Sequence, residues 1–291
     1  MEFAVVASSA SGRTADPEWM SAYARHAEAC GFESLVLVEH AVMASEYASE
    51  YPYAPSGRVE LAADVDIPDP LEMLSFLAGR TERLGLATGV LVLPVHQPVV
   101  LAKRLATLDR ISGGRLRICV GMGWLREELE ACDVPFTARG RRANEQIEVL
   151  RKLWAGGPDG VSHHGEFFDF DHAVSYPKPV QAGGVPLHIG GHTPAAARRA
   201  GRYGNGLQPL GLAGEALADV VALMRRTAEE HDRDPNALEL SLGHLVTKIN
   251  ADRAASLEAQ GATRIVLAAS DTGDLEQAKD ELSACAERLG L

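Results

Sequence analysis

The chain is short of cysteine, of cations relative to acids, and of long apolar runs, and each shortage excludes a class of protein. The four cysteines, Cys30, Cys119, Cys132 and Cys285, form no C-x-x-C pair, so neither a disulfide framework nor a paired zinc site is indicated. They read as core thiols in a reducing compartment. Lys and Arg number 28 against 40 Asp and Glu, a net charge of -12. A chain so acidic repels nucleic acid and anionic membrane surfaces, and neither is expected as a partner. No window approaches the apolar length of a membrane span. The opening MEFAVVASSA lacks the basic n-region of a secretory signal. The expected location is the cytoplasm. Metal-site spacing is missing as well. His96, His188 and His192 fall in no H-x-H or H-E-x-x-H pattern, and His163-His164 suits no common zinc site. No metal is expected.

What is present is a globular composition, 46% apolar and 23% charged, enough for a sizeable core. Short apolar runs alternate with helix signals along the whole chain. Phe3 to Ala7, Ser34 to Val38, Leu84 to Leu93, Leu116 to Gly121, Pro186 to Ile189, Leu207 to Leu210, Leu240 to Ile249 and Arg264 to Ala268 read as strands. Asp16-Pro17 opens a helix that Gly31 closes, and Asp69-Pro70-Leu71-Glu72 is a capping box with proline at the first helical position. Pro98 opens another helix, with Leu101, Leu105, Leu108 and Ile111 spaced for one buried face. Eight such units without a linker predict one domain over residues 1–291, folded as a (β/α)8 TIM barrel; an open doubly wound sheet is the rival. Two segments break the rhythm. Residues 41–67, with Tyr47, Tyr51 and Tyr53, have the length of a lid loop. Residues 156–185 read as an insertion with a small hairpin, placed after the fourth barrel helix.

The stretch VPLHIGGHTPAAARRAGRYGNG, residues 185–206, reads as a buried strand, a glycine pair and a helix. Thr193 is the N-cap and Pro194 the first helical residue. Gly190, Gly191 and His192 can offer backbone N–H groups beside a helix N-terminus, which is a phosphate site. The same residues also suit a tight turn with no ligand. Barrel ligands lie at the C-terminal ends of the strands. That rule gathers Ser8, Glu39-His40, Thr88 to Val90, Gly121 to Trp124, Gly190 to Thr193 and Gln208 around one mouth.

Three blocks in order carry a resemblance: LGLATGVLVLPVHQPVVLAKRLATLDRISGGRLRICVGMGW (residues 84–124), RGRRANEQIEVLRKLW (residues 139–154), and the stretch above with its lead-in YPKPVQ. With Glu39-His40 ending the second strand, the chain resembles the bacterial luciferase-like monooxygenase superfamily, in its coenzyme F420 (deazaflavin) dependent oxidoreductase branch. The resemblance implies a (β/α)8 barrel with an insertion, a deazaflavin ring in the mouth, and a phosphate at Gly190, Gly191, His192 and Thr193. It implies hydride transfer between the deazaflavin C5 and a substrate carbon. It also implies a bulge with a non-proline cis peptide on strand three, at Gly89-Val90, with Thr88, Gly121 and Gly123 in the cofactor site. A homodimer is expected from the resemblance alone.

His40 and Glu39 are the candidate catalytic residues, His40 over the ring as proton donor or acceptor. Ser8, Tyr51, Trp124 and Gln208 are the candidate substrate pocket. In the sugar-phosphate-oxidising branch an acid follows the G-x-G of strand four; here Trp124 stands there, and it suits either the lining of an apolar substrate pocket or core packing. Arg126 occupies the place of a third glycine, which rejects a dinucleotide fingerprint. Arg139, Arg142 and Glu145 read as an ion-pair and capping group at the rim; Arg198, Arg199 and Arg202 read first as solvent-facing charges on a helix, with supply of charge to an acidic cofactor tail as the alternative. Two other readings stay open: an FMN-dependent monooxygenase using molecular oxygen, and a flavin-binding protein without turnover.

Overall fold

Eight parallel strands close on themselves in the computed structural model, which describes residues 1–291. The first half runs β1 (Glu2–Val6), α1 (Pro17–Ala29), β2 (Ser34–Leu37), α2 (Pro70–Ala78), β3 (Gly85–Val92), α3 (Pro98–Ile111), β4 (Leu116–Gly121), a short α4 (Arg126–Ala131) and α5 (Arg139–Ala155). The hairpin β5 (Val161–His164) and β6 (Asp169–Ala173) then stands outside the barrel. The second half runs β7 (Leu187–Gly190), α6 (Pro194–Tyr203), β8 (Gly206–Gln208), α7 (Gly214–Glu229), β9 (Glu239–Leu245), α8 (Ala251–Ala259), β10 (Arg264–Ala268) and α9 (Leu275–Leu289). β1 pairs with both β2 and β10, so no edge strand remains. This is the predicted (β/α)8 barrel with its hairpin insertion, and closure rules out the open sheet. No helix is long and apolar enough to cross a membrane.

The helix starts follow from local chemistry. Asp16, Asp69 and Thr193 each accept a hydrogen bond from a first-turn N–H, and each is followed by a proline that has no N–H to satisfy. Two predicted details shift. Ile111 is exposed and Ser112 is buried instead. At about 100° per residue, Ser112 continues the stripe of Leu101, Leu105 and Leu108, and Ile111 falls beside it. β9 ends at Leu245 rather than Ile249, because the N–H groups of Lys248 and Ile249 both turn back to the Leu245 carbonyl.

Strand alternation divides the interior. Leu35, Leu37, Leu86, Ile118 and Val120 pack outward under the helices in one large core, while Ala4, Val36, Ala87 and Val266 form a separate small cluster inside the barrel. The N-terminal end is filled by charge. Arg264 donates to Glu33 at 3.1 Å and to Glu239, and Arg117 donates to Ser34 Oγ at 2.9 Å. His188 is buried among them, its pKa driven well below the usual imidazole range by burial and by Arg117 and Arg264. The opposite end, at the strand C-termini, is left for a site.

One carboxylate fastens the insertion. Glu145 on α5 accepts the N–H groups of Glu166 (3.1 Å), Phe167 (3.1 Å) and Phe168 (2.8 Å), and meets His163 Nε2 at 3.1 Å. Glu145→Ala is therefore expected to free the hairpin, at a cost on the order of 1–3 kcal/mol for each buried donor left without a partner. Limited proteolysis should cut within residues 156–185 severalfold faster than in the wild type, with the far-ultraviolet circular dichroism of the barrel unchanged.

Candidate active site

Two neighbours at the end of β2 part company. Glu39 is buried and both its oxygens are committed: it accepts Val92 N–H at 2.5 Å and meets His96 Nε2 at 2.9 Å. It ties the end of β2 to the end of β3. This corrects the expectation of Glu39 as a catalytic partner in the mouth, since its carboxylate is spent on bracing the rim. His40 turns the other way. Its Nδ1 lies 3.1 Å from Glu128 Oε2, and its Nε2 has no hydrogen-bond partner in the chain. The Glu128 side chain is only 1% exposed, and its second oxygen accepts the Ala41 N–H at 2.6 Å.

Glu128 escaped the sequence reading. It sits in the charged run Arg126 to Glu130, which reads as a solvated helical face. Only the meeting of α4 with the end of β2 gives it a buried partner. The adjacent Glu127 accepts Ala48 N–H at 2.7 Å and Ser49 Oγ–H at 2.7 Å, and so clamps the loop of residues 41–67. The Ser49 hydroxyl and the backbone donors hold the Glu127 carboxyl at about 2.

β3 carries the expected irregularity. The Gly89–Val90 peptide is cis, and the register with β4 shifts between Gly89 and Leu91. The Val90 side chain lies against Gly121 on β4 and Gly190 on β7, where any Cβ would run into its methyl groups. Those two glycines give room to Val90, which forms an apolar wedge at the top of the barrel. Thr88 does not face the mouth. It pairs in register with Leu37 and Ile118 on the helix-facing side, is fully buried, and donates to the Cys119 carbonyl at 2.9 Å. Gly123 makes the turn from β4 toward α4 at φ 77°.

The anion site narrows in the same way. Gly191 N–H is already given to the Gln208 carbonyl at 3.1 Å, and Gly190 lies within the sheet. Neither glycine is the free donor the sequence suggested, because the parallel ladder to β8 runs one residue further than the apolar run implies. The N–H groups of His192 and Thr193 have no partner in the chain, and they precede the N-terminus of α6. The buried His192 Nδ1 is also unpartnered.

The loop of residues 41–67 crosses this mouth as a chain of rings. Trp124 meets His40 edge-on at 6.2 Å, Tyr47 at 5.6 Å and Tyr51 at 5.1 Å; Tyr51 meets Tyr53 at 5.5 Å, and Tyr53 meets His192 at 5.3 Å. Edge-to-face contacts of this length are attractive. Burial pushes the Tyr51 and Tyr53 hydroxyls up, so both stay protonated. Gln208 reaches toward Gly89, inside the mouth. Ser8 lies at the end of β1 and donates to Asp271 at 3.2 Å.

The rim arginines serve the scaffold. Arg139 lies over Phe136 at 3.6 Å, and Arg142 donates to the Pro94 carbonyl at 3.0 Å. Glu145 belongs to the insertion rather than to an ion pair with them. Arg199 donates to Asn144 at 2.7 Å and to the Gly140 carbonyl, which fixes α6 to α5. Arg198 and Arg202 are exposed on α6.

A parallel barrel with an imidazole, an apolar wedge and unpaired amides around its mouth is a barrel of the enzyme kind. The chain belongs to the luciferase-like monooxygenase family, whose model matches residues 1–288. An uncharacterized protein of Mycobacterium tuberculosis is 34% identical over 207 residues, covering 71% of this chain and 70% of that protein. The 4-hydroxyprotoasukamycin monooxygenase of Streptomyces nodosus is 30% identical over 174 residues, 57% of this chain and 47% of that protein. Two solved structures share the fold over 99% of this chain and 98% of theirs. They are monooxygenase RslO1 from Streptomyces bottropensis (TM-score 0.77, 22% identity) and an F420-dependent secondary alcohol dehydrogenase in complex with an F420–acetone adduct (TM-score 0.78, 19% identity).

The Glu127 clamp has a defined pH window. A carboxyl whose pKa falls on folding stabilises above its unfolded value and loses that contribution as the pH drops from about 4.5 towards about 2. Pepsin should leave residues 41–67 uncut near about pH 4 and cleave them as the pH nears about 2. Glu127→Ala should open the same segment to protease already at neutral pH.

Proposed function

We propose that the mouth binds coenzyme F420 and that the chain transfers a hydride between it and an organic substrate with a largely apolar body. The residues present suit such a group. Val90 offers a flat apolar backing for a ring, with the room given by Gly121 and Gly190. The free amides of His192 and Thr193, at the positive end of α6, suit a phosphate on the tail. When bound, the deazaflavin supplies hydride exchange at its C5. His40 exchanges a proton with the substrate at Nε2, held in place by Glu128. Trp124, Tyr47 and Tyr51 roof the mouth, exclude water and favour an apolar or aromatic substrate body.

The single observation that carries this reading is the unpartnered Nε2 of His40, fixed at the mouth by a buried carboxylate. A protein that only holds a ligand has no need of that arrangement. The kinship with F420-dependent structures supports the cofactor. The 30% identity to a monooxygenase favours FMN with molecular oxygen as the second reading. A homodimer remains part of the proposal, with the exposed Val100 and Ile111 on the outer face of α3 as the surface it would cover.

Titration with F420 and with FMN, followed by fluorescence, tests the cofactor. F420 is expected to bind at least about tenfold more tightly, a difference of about 1.4 kcal/mol; tighter binding of FMN overturns the choice. His40→Asn should leave F420 binding nearly unchanged and lower turnover about 100- to 10,000-fold on any substrate that a dehydrogenase and reductase screen identifies.

A further inference from the structure

We propose that Glu128 is a positioning residue: it keeps the ring proton of neutral His40 on Nδ1 and so presents Nε2 to the mouth as a hydrogen-bond acceptor. The proposal rests on the reading of the mouth as the reactive site, but its test needs neither cofactor nor substrate.

An ionised carboxylate only accepts hydrogen bonds. The two oxygens of Glu128 have different neighbours. Oε1 takes the Ala41 N–H at 2.6 Å, and Oε2 faces His40 Nδ1 at 3.1 Å. The Ala41 amide belongs to the main chain, so its direction is fixed, and it pins the carboxylate in one orientation. A neutral imidazole has a single proton to place. On Nδ1 the proton lies between ring and carboxylate. On Nε2 it would leave two acceptors facing each other in a site whose carboxylate is 1% exposed. No other side chain hydrogen-bonds to the ring, which meets Trp124 edge-on at 6.2 Å.

A consequence for the substrate follows. While the ring is neutral, the group that meets Nε2 must bring a proton of its own, as a hydroxyl or an N–H does, and that is the proton His40 exchanges. A carbonyl or carboxylate oxygen would face a lone pair. The selection therefore comes from a residue on α4 that never touches the ligand.

Glu128→Gln separates this role from space filling, because the shape is kept. The Ala41 N–H holds the amide oxygen at the Oε1 position. The NH2 group then takes the place of Oε2 and donates to His40 Nδ1, which sends the ring proton to Nε2. A residue that only fills the site would leave the proton where it was.

Nitrogen-15 NMR of the full chain, labelled at histidine and measured at a pH where the neutral ring prevails, reads the tautomer directly. The His40 signals are assigned by their loss in His40→Asn. The expected result is Nδ1–H in the wild type and Nε2–H in Glu128→Gln, with a thermal midpoint close to that of the wild type. An Nε2–H tautomer in the wild type, or an unchanged Nδ1–H tautomer in folded Glu128→Gln, overturns the proposal. Should the variant not fold, the wild-type spectrum still decides. Failure of the cofactor titration with the Nδ1–H tautomer intact would remove the redox reading and leave this one standing.

Discussion

A buried carboxylate must find donors, and this molecule uses that necessity to fix the rim of its barrel mouth. Glu128 is the case on which the mouth depends. It enters a nearly dry site only because the end of β2 brings it an imidazole and a main-chain N–H. Without that pairing, burial of the charge would be prohibitive. With it, the imidazole, the following loop and α4 are locked to one another.

Carboxylates gather backbone donors elsewhere around the barrel as well, buried in Glu39 and more open to water in Glu127. Glu39 binds the amide of Val92 and the ring of His96, which ties β2 to β3 beside the bulge. Glu127 gathers the amide and hydroxyl donors of the loop that crosses the mouth. Glu145 does so for the hairpin. The strands are held by their ladder, whose closure leaves no edge, but loops have no ladder of their own. Their backbone donors must be satisfied by something else. Here acidic side chains from neighbouring elements supply the acceptors, and the loops that would shape a pocket are placed by them.

Within that frame the mouth combines three unlike surfaces. Val90 gives an apolar face, made possible by two positions with no side chain. The start of α6 gives unpaired amides. His40 gives one free ring nitrogen. The ring chain from His40 through Trp124, Tyr51 and Tyr53 to His192 spans from the imidazole side to the amide side. The loop thus touches His192 directly through Tyr53 and reaches the His40 ring through Trp124, which Tyr47 and Tyr51 both meet.

The sequence by itself determined the barrel, because strand and helix periodicity, proline after Asp or Thr caps, and the count of units are local signals that the fold did not override. The irregularity at Gly89-Val90 was legible too, since the ordered blocks of the family are long, and the fold brings His40 and Trp124, at the ends of two strands, within 6.2 Å of each other. The sequence misjudged Thr88 and Gly191, because the facing of one strand residue and the bonding of one amide depend on the register of the neighbouring strand. It missed Glu128, because a glutamate in a charged helical run looks the same whether water or an imidazole will face it. Only the tertiary structure decides such matters: burial and hydrogen-bond partners are properties of pairs, and the pairs here join residues some fifty to ninety positions apart in the chain.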